Sequence, residues 1–524
     1  MGDSSESGEP LGGLGGLWPR TLGVFAAAFA YLRWLQFQTP IIPGFDGYYH
    51  IKFAELLPSM GFAREFKWAA HSVWATHFAD KEILFHIFLV PFTWFEDLAV
   101  GAKYATVLLG AVAVTTFYLI LHLNRLRFPL VWTLLLTGSG GYFLYRLALP
   151  RPQLVSIILL LWSVHLILNR RRVALAVVTV IYSLSYTAFH LPLALALIAG
   201  AYLFLTEREV DWKTPLTILG AMALGMLVNP YFPNNVWLFW VQNFGVPWMA
   251  VGGKADLNLA VELGSLSTRV FLLSHLSIVV PYLLAIYLSL TRPRTVGTKT
   301  RILFLFSTFF LLMTFMIRRF MEYSVPITLL FLAAYYTEQL SRFDLRAVLR
   351  EAGRRRRWVV AALAALAVAL AGLQVRTWYH VMPNFGPGPA TRQDAALYLK
   401  EHTDPDELVF TCDWDDAPEL FYFNDRNRYP VMLDPNFMYY RDPELWREWY
   451  EVARGGYAGR TYDILARDYR FGVCTWDFDE LKRIVEKDPR MEVVHDDDWA
   501  WVFRIDRDNP EITLDQFLEL APDR

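Results

Sequence analysis

Charge is scarce in this sequence. Of its 524 residues only 19% are Asp, Glu, Lys or Arg, against 55% hydrophobic and 16% aromatic. That balance excludes an ordinary soluble globular protein, and the repeated interruption of the apolar runs excludes a fibrous one. Cysteine is rarer still. Cys412 and Cys474 are the only two, and they form no metal-binding motif. If they meet, a disulfide and a pair of buried thiols are both ordinary outcomes. The N-terminal "MGDSSESGEPLGGLGG" lacks the basic segment of a cleavable signal, so the first apolar run is expected to be a retained anchor. Glu6 stands where a myristoylation signal needs Ser or Thr. There is no internal repeat, and no low-complexity tract beyond that Gly/Ser-rich start.

What is abundant is apolar runs of membrane-spanning length. Candidate spans are Trp18–Phe37, Gly101–Leu123, Pro129–Leu147, Pro152–Leu168, Val173–Phe189, Leu191–Leu205, Pro215–Val228, Thr268–Leu290, Ile302–Ile317, Met321–Leu340 and Trp358–Val375. These make about eleven helices, several shorter than the usual ~18 residues. Ile83–Phe95 is apolar but short and contains Pro91, which predicts an interfacial or re-entrant outer-loop helix. The basic loops Asn124–Arg127, Asn169–Arg172, Thr291–Arg301 and Ser341–Arg357 all fall on one side of this arrangement, the cytoplasmic one by the positive-inside rule. The N-terminus is then cytoplasmic. From about Val381 the chain turns richer in acids, Tyr and Trp and has no further span; amphipathic helix and buried strand patterns predict an α/β domain of about 145 residues outside the cytoplasm. The expected organisation is a flexible 1–17, a transmembrane 18–380 and a globular 381–524.

The outer face collects the unusual groups. Asp46 leaves the first span in "TPIIPGFDGYYHIKFAE", followed by Tyr48, Tyr49 and His50. His77 and Asp80 lie further along the same loop, Arg146 closes the third span, and "RPQ" (Arg151–Gln153) opens the fourth. Glu262 lies in the long outer segment, Arg319 at a span boundary, and Trp414 and Asp415 in "CDWDD". Ionisable groups at a membrane boundary are costly to desolvate, which makes them functional candidates. Snorkelling arginines and solvated loop acids are the bland alternative. Tyr48 and Tyr49 suit sugar packing or interfacial anchoring.

"GFDGYYHIK" resembles the first acidic motif of the GT-C membrane glycosyltransferases, and the closest likeness is to the catalytic subunit of oligosaccharyltransferase. "NLAVELGS" is similar to that family's outer-loop "TIxE", "RRFMEYSVPI" to "RFxxYxxP", and "TCDWDDAPELFYFNDRNRYPVMLDPNF" to the segment around "WWDYG". The resemblance implies a multi-span GT-C fold followed by an α/β extracytoplasmic domain. It also implies a polyprenyl-phosphate or polyprenyl-diphosphate sugar donor, and an acceptor protein, lipid or envelope glycan. Membrane lipids are expected partners and nucleic acid is not. Asp46 and Glu262 are the implied catalytic acids, and Arg146, Arg151, Arg319, Tyr48, Tyr49, His50, Trp414 and Asp415 the implied substrate-binding residues.

Three departures shape the expectation. "RPQ" replaces the family's second acidic motif and removes carboxylates that would hold Mn2+ or Mg2+. "WWDYG" becomes "DWDDA" (Asp413–Ala417), which weakens recognition of an Asn-x-Ser/Thr acceptor. Two helices that the family places before the long outer segment are missing. Metal dependence is therefore expected to be weak or absent, with arginine supplying positive charge. Any ion would draw on Asp46, Glu262, His77 and Asp80. Asp46 would bind or deprotonate the acceptor, while Arg146 and Arg151 would hold the phosphate leaving group. Transfer to asparagine proper is one alternative. A lipid-linked-substrate flippase is another; it predicts acids within the spans, where there are almost none. A non-catalytic scaffold explains neither the boundary acid nor the arginines.

Overall fold

The computed structural model describes residues 14–245, 264–291 (without 266), 296–340 and 392–507, with a few isolated positions between 358 and 376. Its first part is helical. The order is α1 (Leu14–Gln36), α2 (Asp46–Met60), α3 (Ile83–Leu89), α4 (Leu98–Leu123), α5 (Pro129–Thr137), α6 (Gly141–Ala148), α7 (Gln153–Leu168), α8 (Arg172–Ser183), α9 (Leu191–Glu207), α10 (Lys213–Val228), α11 (Asn234–Trp240), α12 (Thr268–Thr291), α13 (Thr298–Met316) and α14 (Met321–Leu340). The expected spans before Leu340 each fall on helix, and Trp358–Val375 lies outside the described residues.

Length is where expectation and structure part. Among the described residues only α4 and α13 are single helices long and apolar enough to cross a membrane, with the bent pair α6 and α7 as a third. The expected span Pro129–Leu147 is broken. Its middle reads Gly138-Ser139-Gly140-Gly141, and Gly140 has φ 140°, ψ 153°, a conformation open to glycine and closed to side chains. Ile83–Phe95 is seven residues of α-helix running into a 3-10 turn, Val90–Trp94, as its length and Pro91 suggest.

Between α6 and α7 the axis turns by 109° at Leu149-Pro150-Arg151-Pro152. Two prolines within four residues remove amide donors and push the residues before them out of the helical region. The end of α6 is held by a buried ion pair: Arg146 Nε lies 2.6 Å from Glu322 Oε1, in the first turn of α14. Removing one partner from such a pair typically costs about 3–5 kcal/mol, because the other charge is left buried alone.

The second part is α/β. Helix α15 (Gln393–His402) leads into strand β1 (Val409–Thr411), then α16 (Ala417–Phe423). Later come β2 (Phe471–Thr475), β3 (Met491–Asp496) and β4 (Ala500–Ile505), in the sheet order β1-β2-β4-β3. Strands β1 and β2 are parallel; β4 is antiparallel to both its neighbours. All residues of β1 and β2 are buried, which explains why they read as apolar runs without alternation. Cys412, just past β1, and Cys474 in β2 are joined by a disulfide with Cα atoms 5.0 Å apart.

This part docks on the loop that follows α2. Ala70 and His71 donate backbone hydrogen bonds to Tyr429 and Pro430, Trp68 Nε1 donates to the Asp425 carbonyl, and Lys52 pairs with Asp425 at 3.2 Å. One aromatic core joins the two: Tyr49, Phe53, Phe66, Trp74 and Phe78 pack with Phe421 and Phe437. Non-reducing peptide mapping should therefore recover the Cys412–Cys474 linkage, and replacing both cysteines with serine should cost about 2–4 kcal/mol of stability. Free thiols at both positions in protein purified without reductant would contradict the pairing.

Candidate active site

The site grows from the first turn of α2. Pro40, Pro43 and Gly44 end the chain leaving α1, and Lys103 of α4 pins that exit by donating to the carbonyls of Thr39 and Pro40 at 2.6 and 2.8 Å. Asp46 is the first residue of α2, where the exposed amides of a helix start favour a carboxylate. Gly47 follows for a steric reason. A Cβ there would lie 2.3 Å from Pro150 Cγ and 2.6 Å from Ile42 Cγ2, so only glycine lets α2 press on the proline turn. Gly44, at φ 76°, completes the approach beside Leu149 and Arg151. The result is an ion pair, Arg151 Nε to Asp46 Oδ2, at 3.2 Å and partly open to solvent.

The "DWDDA" segment comes over the same place. Arg392 holds it: its guanidinium pairs with Asp416 and Glu419, all three buried, and sits 5.3 Å from the Phe45 ring centroid. Burial raises the Asp416 carboxyl and Arg392 opposes that rise. Asp413 Oδ1 accepts the Trp414 amide at 2.7 Å. The Asp415 carboxyl is pushed well above the usual range, first by burial, then by the charges of Asp413 and Asp46. Asp434 is raised by burial too, with Lys81 opposing and Asp46 adding to the rise. Acids from both parts of the chain thus feel the Asp46 charge, with Arg151 among them.

His50, one turn beyond Asp46 on α2, is buried, and its Nδ1 lies 2.8 Å from His86 Nε2. His86 Nδ1 in turn bonds Asp80 Oδ2 at 2.8 Å. Burial, then the His86 charge, holds the His50 imidazole well below its ordinary value.

The other expected residues scatter. Arg146 pairs with Glu322. Tyr48 packs edge-on against Tyr422, and Tyr49 fills the aromatic core among Phe53, Phe66 and His86; both are buried, which corrects the sugar-packing and interfacial readings. The Trp414 ring is buried in the α/β core, which withdraws it from substrate. Arg319 donates to the Tyr186 hydroxyl and lies over that ring, and its charge reaches Glu82. His77 is exposed beside Thr76 and Trp237, apart from Asp80. Glu262 lies outside the described residues. Reasoning from sequence did not single out His86, Glu322 or Arg392: His50 lies 36 residues from His86, Arg146 176 from Glu322, and Asp416 24 from Arg392.

Of the candidate Mn2+ or Mg2+ ligands, Asp46, His77 and Asp80 are not brought together among the described residues, and Glu262 lies outside them. Asp46 faces a guanidinium, and among the described residues the only three-ligand His/Cys/Asp/Glu group excludes it.

No family model matches the chain, and no curated protein does. Solved structures do. The oligosaccharyltransferase of Archaeoglobus fulgidus superposes with a TM-score of 0.61 at 13% identity, over 86% of this chain and 69% of that one. ArnT from Cupriavidus metallidurans bound to undecaprenyl phosphate gives 0.56 at 16% identity, over 92% and 97%. Both are GT-C glycosyltransferases. The chain has the GT-C fold. The expected resemblance is borne out at that level, including the α/β region after the helices. Within the fold, the α2 contact with Pro150 is the steric key to the site. Gly47→Ala should cost about 1–3 kcal/mol, as overpacking does, and so lower the thermal midpoint in detergent. Gly23→Ala, whose Cβ would meet nothing within 4 Å, should not lower it. Equal behaviour of the two variants would refute the contact.

Proposed function

We propose that the chain is an integral-membrane glycosyltransferase that moves a sugar or oligosaccharide from a polyprenyl-phosphate or polyprenyl-diphosphate donor to an acceptor on the outer face. The observation that carries the reading is the Asp46–Arg151 pair at the mouth of a GT-C helical fold. Two of the similar structures hold such lipids, a dolichol-phosphate in the Archaeoglobus fulgidus enzyme AglB and undecaprenyl phosphate in ArnT. Asp46 takes the proton of the acceptor nucleophile as the new bond to the anomeric carbon forms. The bond from that carbon to phosphate oxygen breaks, and the phosphate leaves with the electron pair toward Arg151. Glu262 is the proposed second acid, and Arg319 a contact to the acceptor. With arginine on the leaving group, the rate should stay within about threefold whether Mg2+ or Mn2+ is present or absent.

Arg151 and Asp46 are distinguishable in kinetics. In proteoliposomes carrying polyprenyl-linked sugar, Asp46→Asn should abolish transfer with insertion intact, and Arg151→Ala should raise KM for the donor and lower kcat. Removing a charge-stabilising donor of this kind costs about 10^2–10^3 in kcat. Near-normal turnover of Asp46→Asn would sink the reading.

The α/β region packs on the α2 loop, so it shares a side with Asp46. We place that side outside the cytoplasm, with the N-terminus and the basic loops inside. The disulfide supports this, since such bonds persist in oxidising compartments. A C-terminal reporter should be active only outside; activity confined to the cytoplasm would reverse the topology.

A further inference from the structure

One buried cluster has no part in the transfer chemistry. His50 of α2, Glu82 at the start of α3 and His86 one turn later bring ligand atoms within 4.8 Å of one another. Their relative exposures are 4%, 7% and 0%, and Asp80, behind His86, is at 3%. Around them stand aromatic rings: Phe53 is 4.6 Å from the His86 ring centroid, Phe85 5.3 Å from that of His50, and Tyr49 contacts both.

We propose that His50 Nδ1, His86 Nε2 and the Glu82 carboxylate bind one divalent transition ion of the zinc type, with Asp80 orienting His86. The spacing is close. Two nitrogens each about 2.0–2.1 Å from a tetrahedral zinc sit about 3.3 Å apart; these lie 2.8 Å apart, so the rings separate by about 0.5 Å as the ion enters. The tautomer suits it as well. Asp80 accepts from His86 Nδ1, which turns the Nε2 lone pair toward His50, the carboxylate–histidine arrangement that commonly backs a metal-bound imidazole. Asp80 is fixed in its turn by the Glu82 backbone amide on its other oxygen, at 2.9 Å.

Charge gives an independent argument. Asp80 and Glu82 are two carboxylates in an aromatic enclosure. The Glu82 carboxylate has no hydrogen-bond partner among the described residues. Lys81 and Arg319 reach Glu82 by charge alone, their hydrogen bonds going to Gln242 Oε1 at 3.3 Å and to the Tyr186 hydroxyl. A dication would cancel both negative charges at once. Binding replaces the imidazole–imidazole hydrogen bond, and the His50 proton moves to Nε2. Two histidines and a glutamate are the ligand set of zinc sites that keep a fourth position open.

The test is a binding experiment and does not depend on the transferase reading. Full-length protein in detergent, stripped with chelator, is titrated with Co2+ and then desalted. One Co2+ per chain with visible d–d absorption, displaced by Zn2+, is the expected result. Glu82→Gln and His86→Gln should abolish the band, and Asp80→Asn should weaken affinity by about 10–100-fold. Each variant is first checked for a monodisperse size-exclusion profile. Wild-type protein that leaves the column without Co2+, or a folded Glu82→Gln protein that binds as wild type does, would overturn the site. The cluster would then be a hydrogen-bonded Asp80–His86–His50 chain.

Discussion

The proline turn Leu149–Pro152 is the constraint from which the site follows. A helix carried straight on from α6 would keep Arg151 within an apolar stack. The 109° turn instead brings it out at the start of α2. That turn needs support on both sides. Arg146–Glu322 fixes the α6 end against α14, and Gln153 donates back to the Arg146 carbonyl at 3.2 Å. On the other side, Gly47 lets α2 close to van der Waals distance of Pro150. Asp46 and Arg151 meet because three backbones are forced together by two prolines and a glycine, which the sequence shows plainly, and by a buried charge pair, which it does not.

The α/β region completes the enclosure. Its attachment is partly backbone, through the Ala69–Tyr429 bridge, and partly aromatic, through rings contributed by both parts. The acids of "DWDDA" are thereby delivered to a place already negative from Asp46. Among these acids, burial displaces both Asp413 and Asp415 upward, and for Asp415 the charges of Asp413 and Asp46 add to the rise. Arg392 settles one of them, Asp416, by a paired and hydrogen-bonded contact. The rest keep their demand for positive charge, and Arg151 stands among them.

Much of this was legible beforehand, for identifiable reasons. Helices came from long apolar runs, and the break at Pro150 and Pro152 from residues that cannot continue one. Asp46 was conspicuous because a lone acid beside prolines at a helix exit has no local explanation. What stayed hidden was pairing across the chain. Arg146 reads as a phosphate ligand until Glu322, 176 residues later, is seen beside it. Tyr48 and Tyr49 read as interfacial until a separate α/β region covers them. His86 sits in "ILFHIFLV", where an isolated histidine is most simply a core residue. Only the fold brings it to His50 and Asp80. The glycines of Gly138–Gly141 were visible, yet length outweighed them in the expectation of one unbroken span.

The buried charges also bear on the competing readings. A transporter needs ionisable groups along a path between its two faces. Arg146–Glu322 is the pair that most nearly meets that need, but Arg146 is in the last turn of α6 and Glu322 in the first turn of α14. Both are at helix ends, on the side where Asp46, Arg151 and Arg319 lie. Their carboxylate and guanidinium are paired through Glu322 Oε1 in a buried contact, which suits a fixed joint better than a group that must exchange partners during transport. The charge that is partly open to solvent belongs to Asp46, whose side chain keeps 27% of its surface, against 12% for Arg151. An acid reachable from water, beside a sheltered guanidinium at the edge of the helices, is the arrangement required by a donor whose lipid stays in the bilayer and an acceptor that arrives from outside.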